Sequence, residues 1–172
     1  DELGEREQAA VWRQDSTGRP YVHANFVKGH LRDAAERVGR AIDFWDLKGF
    51  ITGTLFITPY RIYFPKDAVV DMETWPTHFD MPRIGRVSGF RKAQFVEDPV
   101  LEYKLVILRD SRWTPSILEA IYSHGSIMGK GGARRLDQGK YTFTLSPWED
   151  IDSPTALQLI AEGTVAQEEV QA

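Results

Sequence analysis

The sequence predicts an α+β protein, mainly β, with helical extensions at both ends. Three observations predict it. The most apolar run, residues 48–64, alternates like a strand, breaks at Pro59 and resumes. Residues 101–108 alternate again, with apolar side chains at every second position. Thr114-Pro115 then has the N-cap and first-position chemistry that begins a helix.

The N-terminal part of the chain is predicted to be an arm followed by a helix. Residues 1–20 are polar and acidic, and Trp12 is their one large aromatic residue. An isolated tryptophan of this kind is typical of an anchor, either on its own domain, which is favoured, or on a partner. Residues 21–41 form the helical segment, because apolar residues recur there at helical spacing over about 28–41. Residues 41–47 are expected to be a strand that enters the next element.

The run over residues 48–64 is predicted to be a β-hairpin with the turn Thr58-Pro59-Tyr60-Arg61. Proline has no N–H for a strand ladder, and its fixed φ suits the second position of a tight turn. Residues 68–78 lack a clear period and are expected to be a loop, whereas 79–87 are expected to be a strand, bent or bulged near Gly85. The residues expected mainly in the core are Phe56, Ile57, Ile62, Phe64, Leu105 and Ile107.

The hairpin motif carries a family resemblance. The pattern Gly53-x-Leu55-x-Ile57-Thr58-x-x-Arg61-Ile62-x-Phe64 resembles the hairpin of GRAM domains, which have a pleckstrin-homology-like fold, and its version here is closest to the WW-domain-binding protein branch. The later strand and helix follow in the same order, so the resemblance covers residues 42–124. The resemblance implies a curved sheet or barrel that is capped by a C-terminal helix. It also implies a scaffold that binds lipid or protein. The Pro-Pro-x-Tyr segments with which that branch binds WW domains are absent from this sequence, so that partner is not carried over.

The C-terminal part is predicted to be an extension of that domain. Residues 125–140 are rich in glycine and basic residues and are expected to be a mobile loop. Residues 141–172 are expected to contain a strand over Tyr141-Thr142-Phe143-Thr144-Leu145 and a last helix that begins at Ser153-Pro154 by the same N-cap logic.

Composition argues against several classes of function. The chain of 172 residues has a formal net charge of −4, which argues against nucleic-acid binding. It has no cysteine, and therefore no disulfide framework, thiolate metal site or cysteine nucleophile. The four histidines are not paired at metal-ligand spacing, and the glycines over 125–132 lack the spacing of a phosphate-binding loop. We therefore expect no enzyme activity, no metal site and no cofactor.

The expected location is intracellular, either cytoplasmic or organellar, with a peripheral position on a membrane as the alternative. No apolar run reaches the ~18–20 residues of a membrane span, and no signal peptide or transit segment is visible. Because the sequence begins at Asp1, a targeting segment could already have been removed.

Basic residues in and near the predicted barrel are candidate contacts for an anionic lipid headgroup or a partner. A phosphoinositide needs several converging Lys or Arg donors, each making charge-assisted hydrogen bonds. Residues 81–96 supply most of them and contain no acid. The candidates are Arg61, Lys66, Arg83, Arg86, Arg91 and Lys92.

Two tryptophans near the chain ends are candidate partner anchors. Trp12 and Trp148 each lie in or beside a polar arm, and arms of this kind wrap neighbouring subunits. The favoured function is a non-catalytic binding or scaffold protein, an accessory subunit held in a larger protein assembly through its GRAM-like domain and terminal arms. The alternative is a peripheral membrane adaptor that binds phosphoinositide or other anionic lipid headgroups.

Overall fold

The protein is α+β, with four helices and small antiparallel sheets. The computed structural model describes residues 12–81, 85–129 and 139–164, and within these ranges no sheet closes into a barrel. The described residues fall into two compact units. The first takes residues from Asp1–Val22 and Tyr63–Glu102, and the second takes residues from His23–Ile62 and Tyr103–Ala172.

The first unit begins with two short strands. Strand β1 (Arg13–Gln14) pairs antiparallel with β2 (Pro20–His23), whose last residue already belongs to the second unit. The turn between them is held by Asp15, whose carboxylate accepts hydrogen bonds from the N–H groups of Thr17 and Arg19 at 2.9 and 3.0 Å. The Thr17 hydroxyl also donates to this carboxylate at 2.7 Å, and this hydrogen bond, followed by those from the backbone, lowers the pKa of Asp15. An aspartate that bonds backbone two residues on is typical of such turns.

The rest of the first unit is a long two-stranded ribbon. Strand β5 (Val70–Met81) pairs one-to-one with β6 (Gly85–Val96), from Val70 opposite Val96 to Met81 opposite Gly85. Twelve residues at ~3.4 Å each make the ribbon about 40 Å long. The predicted loop over 68–78 is therefore wrong for most of its length. The sequence does not reveal this strand, because the ribbon side chains whose burial is described are exposed or half-buried and so show no apolar alternation.

The second unit packs helices around one small sheet. Helices α1 (Ala24–Ala41), α2 (Leu47–Thr54) and α3 (Pro115–Met128) surround a buried apolar core, and α4 (Ser153–Thr164) lies on the strands. Strand β3 (Leu55–Thr58) pairs antiparallel with β7 (Lys104–Ile107). The largest fully buried side chains in this unit are Val27, Leu31, Leu47, Ile51, Leu55, Ile62 and Ile121.

Helices α1, α3 and α4 confirm the sequence-based predictions. The Thr114 hydroxyl accepts from the Ile117 N–H at 3.3 Å, and Pro115 is the first helical residue. Helix α3 continues to Met128, so Gly125 lies inside it and not in the predicted loop; residues 130–138 of that loop lie outside the described residues. The first turn of α4 is capped one residue earlier than predicted, because the Asp152 carboxylate accepts from the Thr155 N–H at 3.1 Å.

The predicted hairpin over residues 48–64 is wrong. Its first half is α2, and β3 pairs with β7 instead of with β4 (Arg61–Tyr63). The Thr58-Pro59 peptide bond between the two strands is cis. The predicted strand over 41–47 is also wrong, because its residues form the end of α1, a turn and the start of α2. A helix forms here instead of a strand for two reasons. The Asp46 side chain accepts from the Gly49 N–H as an N-cap, and the helix buries a stripe of apolar side chains.

The predicted core is confirmed in part. Ile57, Ile62 and Phe64 are buried, whereas Phe56, Leu105 and Ile107 are half-buried. The most buried residue of β7 is Val106, whose side chain lies on the opposite face from Leu105 and Ile107. Both faces of this two-stranded sheet are therefore partly covered.

The predicted strand over 141–145 is wrong, although its alternation is right. Tyr141, Phe143 and Leu145 are half-buried and the threonines between them are exposed. No strand pairs with this segment in the described chain. The segment is extended because its alternate side chains dock on helices α1 and α3: Tyr141 on His30 and Phe143 on Tyr122.

Candidate functional site

Three of the six predicted basic residues lie along a ribbon and not around one barrel mouth. Arg86, Arg91 and Lys92 occupy positions on β6 opposite Asp80, Trp75 and Thr74. Because successive strand residues alternate between faces, the Arg86 and Lys92 positions share one face and the Arg91 position falls on the other. The positions of Arg86 and Arg91 are about 17 Å apart along the strand.

The other predicted cations are more scattered. Lys66 is exposed in the turn that follows β4. Arg61 is half-buried at the start of β4, in the second unit. Arg83 lies outside the described residues.

Trp12 docks on its own unit. It is half-buried, its ring meets the Phe64 ring edge-on at 5.0 Å, and its N–H donates to the Gln94 side-chain oxygen at 2.9 Å. This is the self-docking alternative, which the sequence favoured. Trp148, the other predicted anchor, is 45% exposed on the extended segment before α4.

The most polar buried cluster of the second unit is formed by tyrosines and one histidine. The Tyr141 hydroxyl lies 2.9 Å from Nε2 of buried His30, and the hydroxyls of Tyr103 and Tyr122 lie 3.1 Å apart. Burial raises the pKa of Tyr122, of Tyr141 and of Tyr103. The hydrogen bond between Tyr141 and His30 holds the 139–145 segment on α1.

Trp45 is the most exposed large apolar side chain in the described part of the chain, with 95% of its surface open to solvent. It lies in the short loop between α1 and α2, which we call the Trp45 loop (residues 42–46). A fully exposed tryptophan differs from a scattered exposed leucine, because the indole carries a large apolar area that water solvates poorly.

The Trp45 loop is held in one conformation. The N–H of Ile42 donates to the Val38 carbonyl at 3.0 Å, and the N–H of Phe44 donates to the Gly39 carbonyl at 2.9 Å. Gly39 permits this close return, since a Cβ there would lie 3.0 Å from the Phe44 carbonyl oxygen. Asp43 and Asp46 have φ of 55° and 54°, the left-handed region that aspartate tolerates better than most residues.

An aromatic row supports the loop from beneath. The Phe44 ring packs on Phe50 at 5.3 Å, and Phe50 packs on buried Trp113 at 5.1 Å. The guanidinium of Arg112 lies 4.3 Å from the centre of the Phe50 ring. Phe44 thus faces the protein while its neighbour Trp45 faces solvent, so the loop presents one indole from a rigid base.

Charged pairs fix the two helices that flank the loop. Glu36 on α1 accepts from Arg40 at 2.9 Å and from Lys48 on α2 at 2.7 Å. The hydrogen bond from Lys48 is the main cause of the lowered pKa of Glu36. Asp43 beside the indole is exposed and has no ion-pair partner among the described residues, so the loop presents an apolar group next to a free negative charge.

Sequence reasoning missed this site because it assigned residues 41–47 to a strand. The signal was present: Asp46 begins a helical stripe of Leu47, Phe50 and Ile51, and that stripe leaves Trp45 outside the buried face. No protein-family profile matches the chain, and no curated protein matches it significantly. Within the described ranges, no helix is long and apolar enough to cross a membrane, and no group of three or more histidine, aspartate or glutamate side chains is placed to hold a metal ion.

Proposed function

We propose that this chain is a non-catalytic binding protein, an accessory subunit held in a larger protein assembly, and that the Trp45 loop is its main contact. The observation that carries the proposal is the 95% exposure of an indole on an ordered loop. Tryptophan is enriched among the few residues that dominate binding energy in protein interfaces. A rigid loop loses little conformational entropy on binding, so more of the interaction energy remains as affinity.

The size of the effect follows from the area of the side chain. An aromatic side chain that becomes buried covers about 150–250 Å². At ~25 cal/mol per Å², transfer of about 200 Å² from water is worth about 5 kcal/mol before the costs of association. Truncation of an interface tryptophan to alanine commonly costs about 2 kcal/mol or more of binding free energy, which raises the dissociation constant about 30-fold.

The charge beside the indole favours a protein partner over an anionic membrane. A loop that inserts into an anionic leaflet is favoured by basic neighbours, whereas Trp45 lies between Asp43, which is unpaired, and Asp46, which caps α2. The partner surface that fits is an apolar pocket for the indole with a lysine or arginine at the rim that faces Asp43.

The experiment is native purification of the tagged full chain from its source, with Trp45→Ala and a matched control. Phe90→Ala removes another exposed aromatic side chain, 62% exposed on the ribbon. We expect a stoichiometric partner with the wild-type chain and with Phe90→Ala, and at least about a tenfold loss with Trp45→Ala. Equal recovery of the partner with both variants, or no stoichiometric partner with the wild-type chain, contradicts the proposal.

The alternative function, a peripheral membrane adaptor for anionic lipid headgroups, is favoured by the concentration of basic residues on β6. Vesicles that contain an anionic lipid should then bind the chain, neutral vesicles should not, and binding should fall steeply with salt. Charge reversal at Arg86 and Arg91 should abolish it. The relation to GRAM and pleckstrin-homology-like domains stays a prediction that rests on the motif from Gly53 to Phe64.

A further inference from the structure

A groove in the second unit lies at the start of α1, about 26 Å along that helix from the Trp45 loop. It has a volume of about 130 Å³ and is bounded by the first turn of α1, by β3 and by the end of α4. Its lining residues are Ala24, Asn25, Lys28, Phe56, Ile57, Gly163 and Thr164. The site is separate from the Trp45 loop, so its test does not depend on the proposed function.

The groove has an apolar floor and a polar rim. Ala24, Ile57 and Gly163 are buried, and the half-buried Phe56 ring forms one wall. The amide of Asn25 and the hydroxyl of Thr164 are exposed at the rim. For scale, an apolar cavity of about 150 Å³ takes up benzene. The groove therefore fits a small group, such as three or four carbons with one polar end.

Lys28 gives the groove its charge. Its ammonium donates to the Thr52 carbonyl at 2.8 Å and lies 4.7 Å from the centre of the Phe56 ring. One hydrogen bond leaves two of its three N–H donors free. Burial, and then repulsion from Arg32 one turn further along α1, lower the pKa of Lys28. The ammonium is thus a partly buried cation that another cation on the same helix repels.

The charge around Lys28 is not compensated by the described residues. Lys28 has no carboxylate partner there, and the first turn of α1 has no acidic residue. Arg32 is half-buried, and its Nε is buried without a hydrogen-bond partner. Glu162 precedes Gly163 of the lining, and its carboxylate accepts a hydrogen bond from the Gln158 amide at 3.1 Å. Lys28 itself pairs with no carboxylate in the described part of the chain, so an anion in the groove would meet an unpaired ammonium and would offset its repulsion from Arg32.

We propose that this groove binds a carboxylate carried on a short apolar group, with Lys28 as the cation that contacts it and Phe56 as the wall for the apolar part. Arg32 is outside the groove lining and contributes only through its charge, one turn further along α1. The carboxylate takes the two free Lys28 donors, and the side-chain amide of Asn25 offers a further donor at the rim. The Thr164 hydroxyl already donates to the Ile160 carbonyl at 2.6 Å. Two sources share this chemistry: a free short-chain acid, and the terminal carboxylate of a peptide from a partner chain.

The test is titration of the full chain with butanoate, followed by NMR at the amides of Asn25 and Thr164. Butanamide is the neutral isostere. We expect binding of butanoate with a dissociation constant on the order of millimolar, since the ligand has few atoms, and much weaker binding of butanamide. Lys28→Met should weaken binding at least about tenfold, because it removes a hydrogen bond to a charged group. Arg32→Met should raise the dissociation constant of butanoate about threefold.

Lys104→Met is the matched control, because Lys104 is an exposed lysine on β7, opposite Thr58, and is not one of the residues that line the groove. It should leave the affinity unchanged. Should Lys28→Met fail to fold, the wild-type chain still decides: saturating butanoate should raise the pKa of Lys28, read from the NMR shift of its side chain. Equal binding of butanamide, an unchanged Lys28 pKa or full affinity in folded Lys28→Met would overturn the proposal.

A second pair of probes identifies the source. Acetyl-alanyl-valine with a free carboxylate is compared with its C-terminal amide. If the free carboxylate binds more than about tenfold tighter than butanoate and the amide does not bind, the groove takes a peptide terminus. If butanoate binds as well as the peptide, the ligand is a free small acid. Both results support the site, and binding of the amide as tightly as the free carboxylate contradicts it.

Discussion

Replacement of Gly163 by alanine should loosen the docking of α4 on β3. Gly163 is buried in the last turn of α4, and an added Cβ would clash with the carbonyl oxygen of Ile57 and lie 3.4 Å from Thr58 Cβ. The obstacle is backbone, which cannot rotate away. Next to it, the N–H of Tyr60 donates to the Glu162 carbonyl at 3.2 Å. The helix must therefore move out, and this hydrogen bond must lengthen.

The expected cost is the difference between two opposing terms. Overpacking against backbone costs about 1–3 kcal/mol. Alanine is favoured over glycine within a helix by about 1 kcal/mol, and less in a terminal turn. The net effect of Gly163→Ala should be a loss of about 1–2 kcal/mol in the free energy of unfolding.

Gly29→Ala is the matched control, because the same replacement within α1 meets nothing within 4 Å. It should stabilise the protein by about 0.5–1 kcal/mol. Urea unfolding gives both values, and hydrogen exchange at the Tyr60 amide reports α4 docking directly. Gly163→Ala should speed that exchange and Gly29→Ala should not. Equal stabilisation by both replacements would refute the packing of α4 on β3 described here.

Two predictions concern pH. Burial raises the pKa of Tyr122 and of Tyr141 above the unfolded value near 10, so their stabilising effect is complete below that pH and falls as the pH rises further. Absorbance at 295 nm should show these phenols ionising only as the protein unfolds, and early ionisation of all tyrosines would contradict their burial. The hydrogen bond from Arg112 holds the pKa of Asp110 at about 2, so its contribution is present above about pH 4 and is lost as the pH falls through 2. Asp110→Asn should flatten that part of the acid unfolding curve, and an unchanged curve would exclude the pair.

The sequence is sufficient to predict helices α1, α3 and α4, because in each a cap or an apolar stripe is long enough to exclude a strand. It fails over residues 41–55, where the apolar residues fit a period of 2 as well as a period of 3.6. The choice depends on burial: Leu47 and Ile51 are fully covered only in the helix. The turn at Pro59 separates two strands, but nothing local indicates that β3 pairs with β7 almost 50 residues later.

The candidate site is still harder to predict, because exposure is a property of the packed chain. Trp45 looks like a core residue in isolation. Its exposure follows from where α1 ends and where Asp46 caps α2, which together direct Phe44 inward and Trp45 outward. Trp12 is equally hard to predict, although it is half-buried and not exposed. Its packing on Phe64 depends on strand β1, which has only two residues and gives little signal in the sequence.

The most direct test of the Trp45 loop as a partner contact is photo-crosslinking of the full chain in its source, with a photoreactive phenylalanine analogue at position 45 or, as the control, at position 90. Both side chains are exposed in the free chain. The proposed function predicts one dominant cross-linked protein from position 45 and none from position 90. Absence of a cross-linked protein at position 45, or the same products from both positions, would contradict it.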